Sequence, residues 1–262
     1  MTQSHNHKMP ALFLGHGSPM NVIEKNRFAD SWEQLGKSIP RPRAIVSISA
    51  HWETTGTRVT AVENPRTIHD FGNFPQALFD VQYPAKGDSD LAAKIQSIVN
   101  KAEITLDYKW GLDHGTWGVL TKMYPDASVP VIQLSLDKKL TPKEHYEIGM
   151  ELKPLRDDGI LILGSGNIVH NLGQISMDPQ EKPAPWAVEF DETIKQFLLK
   201  GDHQGILDFE SLGEISRLSA PTPEHLLPLM YIIALQDKEE SVTFPVEGLV
   251  ARSISMRAVM IS

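Results

Sequence analysis

Four histidines stand in short, chemically suggestive settings. They are His16 in Gly15-His16-Gly17-Ser18-Pro19, His51 in Ser49-Ala50-His51-Trp52, His170 in Gly164-Ser165-Gly166-Asn167-Ile168-Val169-His170-Asn171, and His225 in Pro221-Thr222-Pro223-Glu224-His225. Imidazole nitrogen binds first-row divalent metals and titrates near neutrality, so such a set suits a metal centre, proton transfer or both. The chain contains no cysteine, which excludes disulfides, thiolate ligands and a cysteine nucleophile together. Any metal must then be held by nitrogen and oxygen. With no H-E-x-x-H pair, no Gly-Lys-Ser/Thr phosphate loop and no G-x-S-x-G elbow, the ligands would have to arrive from separate segments.

Each setting adds its own physics. His16 lies between two glycines, where backbone can approach a ligand closely, and Ser18-Pro19 turns the chain away. His170 follows a glycine-rich turn whose amides suit an anion or an enediolate oxygen. Glu224 and His225 are read as opening a helix that runs to Leu235. Adjacent helical positions diverge by about 100°, so only one of the pair would face a given metal and the other would cap or support it. His114, in Leu112-Asp113-His114-Gly115-Thr116-Trp117-Gly118, precedes a further short apolar helix, with Asp113 as a candidate to orient a nearby ring. His69, His145 and His203 have no supporting context beyond Asp70 beside the first, and His5 and His7 belong to a polar terminus.

The elements that must position these groups alternate. Short apolar runs at 11–14, 44–49, 129–134 and 159–164 read as strands. Apolar spacings of three and four predict helices over 28–39, 91–100, 142–155, 186–200 and 224–235. Further strands are expected at 58–62, 241–244 and 253–261. Strand, helix, strand implies parallel pairing. The expected architecture is α/β: a single domain with a central, mostly parallel or mixed sheet flanked by helices, and its site at the strand carboxyl ends. Residues 1–9 are read as a flexible N-terminus and 10–262 as the catalytic domain. Residues 63–86, rich in proline, glycine and aromatics without a period, predict a long ordered loop, either a lid or a strap over the sheet.

At 262 residues, 41% apolar and 22% charged, the chain has material for a sizeable core. A formal net charge of −8 and a basic run no denser than the proline-interrupted 37–43 argue against a nucleic-acid partner. No run approaches the roughly 18 apolar residues of a membrane span and no leader-like segment is present, so a cytoplasmic location is expected.

These same motifs, together with Thr67-Ile68-His69-Asp70-Phe71, resemble the class III extradiol ring-cleaving dioxygenases. The likeness is to their single-chain, DOPA-cleaving group, related to the catalytic subunit of protocatechuate 4,5-dioxygenase, and it runs from Pro10 to the carboxyl terminus. The resemblance implies metal ligands at His16 and His51 and a third from the Glu224-His225 pair, with His225 favoured and Glu224 the alternative. It implies an acid–base role for His170 and a substrate-facing role for His114. The implied cofactor is one divalent ion, Fe(2+) for catalysis. Zn(2+) is expected as the ion bound in a purified form, where His170 could close a fourth position. The implied partners are O2 and a catechol such as L-DOPA, cleaved at the 4,5 bond to a seco-DOPA semialdehyde. The small companion chain of two-subunit members has no obvious counterpart here, unless the 63–86 loop replaces it. Oligomeric state, monomer or small homo-oligomer, is open. Two other readings compete: a zinc-dependent hydrolase with Glu224 as general base, and a binding module on the same fold.

Overall fold

The computed structural model describes residues 8–178 and 180–262. In chain order the elements begin with β1 (Ala11–Gly15), α1 (Arg27–Ser38), β2 (Ala44–Thr54), β3 (Thr57–Thr60), α2 (Gln76–Phe79), α3 (Ser89–Ile98), β4 (Ile104–Asp107) and α4 (His114–Met123). They continue with β5 (Val131–Asp137), α5 (Pro142–Glu151), β6 (Ile160–Gly166), α6 (Pro185–Lys200), α7 (His203–Leu207), α8 (Glu214–Ser219) and α9 (Leu227–Ala234). The last are β7 (Val242–Thr243), β8 (Leu249–Val250), β9 (Ile254–Ser255) and β10 (Ala258–Ile261).

Eight strands form one mixed sheet in the order β4-β3-β5-β2-β6-β1-β10-β7, and β8 pairs with β9 in a separate ribbon. The central four, β5, β2, β6 and β1, are mutually parallel; β3 and β10 run against them on either side. Alternate residues point to opposite faces of a strand, and here both faces are covered. Ala11, Phe13, Val46, Ile162 and Leu134 pack toward α5, α6 and α9, whereas Leu12, Leu14, Ile45, Leu163 and Val131 pack toward α1 and α4. Burial on both faces explains why these strands read as continuous apolar runs.

The helices start where the sequence supplies caps. The Asn26 side chain accepts from the amides of Phe28 and Ala29 to open α1, and Thr141 with Glu144 forms a reciprocal capping box at α5. Gly201, at φ 65°, closes α6 in the left-handed conformation that glycine adopts without steric cost.

Three expectations are corrected. Glu224 and His225 lie in a turn, and α9 begins only at Leu227, because Pro228 cannot donate to a helical turn and so sits at its start. Lys8 and Met9, assigned to a flexible terminus, are tied down: the Met9 amide donates to the Arg156 carbonyl at 2.9 Å and Lys8 pairs with Asp237 and Glu240. The 253–261 strand is two pieces, β9 and β10. His5 and His7 lie outside the described residues. β4, α7 and α8 had no sequence expectation, each being too short for its period to stand out, at 4, 5 and 6 residues.

His145, which lacked context in the sequence, is fully buried between α5 and α9, with its Nδ1 2.9 Å from the Tyr231 hydroxyl. Burial, only partly offset by Asp137, pulls its pKa to about 4. Above pH 6.5 neither folded nor unfolded chain protonates this ring. As pH falls from 6.5 toward 4 only the unfolded chain does, so stability falls until both states are protonated. His145→Gln should therefore remove roughly 2–3 kcal/mol of the loss between pH 7 and pH 4.5. Urea titrations at the two pH values measure this, and parallel losses in wild type and variant would refute it.

Candidate metal centre and active site

The carboxyl end of β6 is the bench on which the site is assembled. β1 and β6 end side by side, Gly15 opposite Gly166. There the His16 amide donates to the Gly166 carbonyl at 3.1 Å, and the Asn167 amide donates to the His225 carbonyl at 2.8 Å. Two glycines make this approach possible. A Cβ on Gly166 would lie 2.1 Å from the His225 carbonyl oxygen, and one on Gly15 would lie 2.6 Å from that of Ser255. His51 is delivered by β2, which extends past its pairing with β6. Its register against β5 shifts between Ile48 and Glu53, and His51 falls in that interval. Gly115, in the first turn of α4, lets the His51 ring sit where a Cβ would come within 2.9 Å of its Cδ2.

The result brings together side chains separated by more than 200 residues of chain. Ring centroids of His16, His51 and His225 lie 4.9–5.3 Å apart. His114 adds a ring 3.9 Å from that of His51, and the His170 ring stacks on that of His225 at 3.4 Å and 9°. One potential ligand atom from each of His16, His51 and His225 lies within 4.8 Å of the others, and the same holds for the set His170, Glu224 and His225.

Hydrogen bonds fix which nitrogen of each ring is free. Ser165 Oγ donates to the Gly115 carbonyl at 2.5 Å, so it accepts from His16 Nδ1 at 3.0 Å and leaves the lone pair of His16 on Nε2. His225 Nδ1 donates to Glu224 Oε1 at 3.1 Å, while its Nε2 is buried without a partner. His51 Nδ1 lies 3.5 Å from Asp70 Oδ2, too long for a hydrogen bond but close enough for the carboxylate's charge to favour a proton on Nδ1. His16 Nε2 and His51 Nε2 face each other at 3.0 Å: in one tautomer His51 Nε2 donates to His16, and with the His51 proton on Nδ1 the two are facing lone pairs. Such a contact is repulsive by itself and favourable around a cation, since two nitrogens about 2.1 Å from one ion at a right angle are separated by about 3.0 Å. The facing pair and the orphaned Nε2 of His225 fit a divalent metal.

Electrostatics agree. Burial first, and then the neighbouring imidazoles, hold His16 and His51 well below the ordinary histidine range. Burial also lowers His225 against the pull of Glu224. His170 is brought to about 3, by burial and then by His225. All four are neutral near pH 7, the form that donates a lone pair to a metal or accepts a proton. Glu224 goes the other way: burial raises its pKa, but the hydrogen bond from His225 dominates and holds it at about 2.

Asp113 does not orient His114. Its carboxylate caps α4 through the Thr116 amide and accepts from Ser49 and Gln133, each at 2.7 Å. The partner of His114 is Asp70, which accepts from His114 Nδ1 and from the His114 amide, both at 2.9 Å. Asp70 comes from the 63–86 segment, which is a strap pinned to α4: the Ile68 amide donates to the Leu112 carbonyl, and Trp117 Nε1 donates to that of Ile68. No local spacing could reveal a partner 44 residues away, and Asp70 was visible only as the neighbour of His69. That histidine turns from the cluster to donate to the Val81 carbonyl.

A family model described as the catalytic LigB subunit of aromatic ring-opening dioxygenase matches residues 7–256. The chain belongs to this family of class III extradiol dioxygenases. The dioxygenase is 50% identical over 260 residues to the 4,5-DOPA dioxygenase extradiol of Escherichia coli K12, covering 97% of this chain and 95% of that one. To the 4,5-DOPA dioxygenase extradiol of Beta vulgaris it is 38% identical over 83% of each chain. Its fold matches the crystal structure of uncharacterized protein JW3007 from E. coli K12 with a TM-score of 0.85 at 44% identity, covering 97% of this chain and all of the other. It is thus an aromatic ring-opening enzyme of a metal-dependent family. Among the described residues no helix is long and apolar enough to cross a membrane.

Proposed function

We propose that this dioxygenase cleaves a catechol of the DOPA type at its 4,5 bond, with O2 as co-substrate and one divalent ion held by Nε2 of His16, His51 and His225. The observation that carries the ligand set is the orphaned, buried His225 Nε2 beside the facing Nε2 atoms of His16 and His51. The names of the bacterial and plant relatives support the substrate. Glu224, the alternative ligand, accepts through Oε1 from both His225 Nδ1 and the Thr222 hydroxyl, the latter at 2.9 Å. It acts by orienting His225, as carboxylates behind metal-bound histidines commonly do.

Ferrous iron is the ion proposed for turnover: held by these three histidines, it would supply open coordination positions for the two catechol oxygens and for O2, and the redox chemistry that couples them. Zinc suits the same nitrogens; His170 groups with Glu224 and His225 and not with His16 and His51. The chain's own residues do the rest. His170, neutral and against His225, accepts a proton from a catechol hydroxyl and returns it to the ring-opened product. His114, protonated on Nδ1 toward Asp70, keeps the Nε2 lone pair as an acceptor for a second substrate hydroxyl. Phe71 packs edge-on against His114 at 5.5 Å, so the strap carries apolar cover to the site. A zinc hydrolase is disfavoured because its general base would be Glu224, whose carboxylate is a poor proton acceptor when held by His225 and Thr222.

Protein stripped of metal and reloaded anaerobically with Fe(2+) should consume O2 with L-DOPA and give a yellow product, and zinc-loaded protein should not. An absence of uptake across a broad catechol panel would sink the substrate assignment.

A further inference from the structure

The strap residue Asp70 touches two members of the histidine cluster at once. Its Oδ2 is 2.9 Å from His114 Nδ1 and 3.5 Å from His51 Nδ1, while Oδ1 accepts from the His114 amide at 2.9 Å. It is partly shielded, and Phe71, the next residue, packs on the His114 ring. The strap holds this position through hydrogen bonds to residues on either side of His114, at Leu112 and Trp117.

We infer that Asp70 is a positioning residue that sets the tautomers of His51 and His114 together, and so ties the affinity of the metal centre to the hydrogen-bonding character of the substrate pocket. This rests on the metal centre proposed above. A carboxylate can accept at both oxygens, and only then can it satisfy the His114 amide, hold the His114 proton on Nδ1 and, by its charge 3.5 Å from His51 Nδ1, favour the proton of that ring there as well. Both Nε2 atoms are thereby left as lone-pair donors, one toward the ion and one for substrate. The strap is accordingly part of the site and not merely a cover over it.

An amide of the same shape cannot do this. Asn at position 70 offers one acceptor and one donor. If its oxygen keeps the backbone amide, its NH2 faces His114 Nδ1, which must become the acceptor and move the ring proton to Nε2. His51 loses its anionic partner in the same change, and loss of such outer partners typically weakens metal binding about 10–100-fold.

The test needs no turnover. Imidazole 15N NMR on metal-free wild type, assigned with His114→Gln, should show His51 and His114 protonated on Nδ1. Asp70→Asn should show His114 protonated on Nε2 and a zinc affinity, by chelator competition, lower by about 10–100-fold. A wild-type His114 protonated on Nε2 overturns the inference even if no variant folds, and so does Asp70→Asn with unchanged tautomer and affinity. Two zinc ions per chain, lost to one in Asp70→Asn, would also overturn it, because the carboxylate would then be a ligand itself. His16→Ala separates this from the proposed centre. If that variant holds zinc as tightly as wild type, the centre is wrongly placed; if it loses zinc while Asp70→Asn does not, only the role of Asp70 fails.

Discussion

His225→Ala should lose its metal. In the proposed centre the side chain supplies one of three nitrogens, and its buried Nε2 has no hydrogen-bond partner among the described residues. Because removing an outer partner costs about 10–100-fold, removing a ligand should cost on the order of 10³-fold or more in affinity and take activity with it. Glu224→Gln gives the milder comparison, since the amide oxygen can still accept from His225 Nδ1 without the charge that strengthens the bond. Metal content after dialysis and chelator competition measure both. If His225→Ala keeps a full equivalent of metal while Glu224→Gln is emptied, the glutamate is the ligand and the assignment is reversed.

The second large effect is on chemistry and not on binding. His170 lies against His225 in parallel stacking and is anchored through its backbone, with the His170 amide donating to the Ser219 carbonyl at 2.8 Å. Truncating its side chain should leave that anchor and the three proposed ligands in place. His170→Ala is therefore expected to retain its iron and bind catechol, while turnover falls by about 10²–10⁴-fold, the usual range for a general acid–base group. Stopped-flow mixing of the anaerobic catechol complex with O2 isolates the step. A variant that turns over at the wild-type rate removes His170 from proton transfer. One that loses iron instead makes it a ligand.

Much of this molecule could be read without coordinates, for reasons that are local. Strands covered on both faces had to be continuous apolar runs, and Ala11–Gly15, Ala44–Thr54 and Ile160–Gly166 are found where those runs lie. Helices marked by spacing and caps, such as Arg27–Ser38 and Pro142–Glu151, also stand near their expected positions. The glycines that flank the histidines announced close backbone approach, and Gly15 and Gly166 are needed for it.

What could not be read depends on contacts between distant segments. Periodicity carries no strand order, so the insertion of β6 between β2 and β1, which places Gly166 between His16 and His225, had no sequence signal. The turn at Glu224 and His225 removed the premise of the helix argument, because the proposed choice between them rests on which nitrogen Glu224 occupies and not on an angle around a helix axis. Asp113 was the obvious neighbour for His114, but burial drew its carboxylate to Ser49, Gln133 and the α4 amide, leaving Asp70 from the strap for the ring. The amino-acid order alone therefore determined the donor chemistry, the absence of thiolates and the α/β frame. Tertiary structure decided the tautomers and the pairing of each ring with its acceptor, because a proton's position on an imidazole depends on the atom opposite it, and that atom is supplied from elsewhere in the chain.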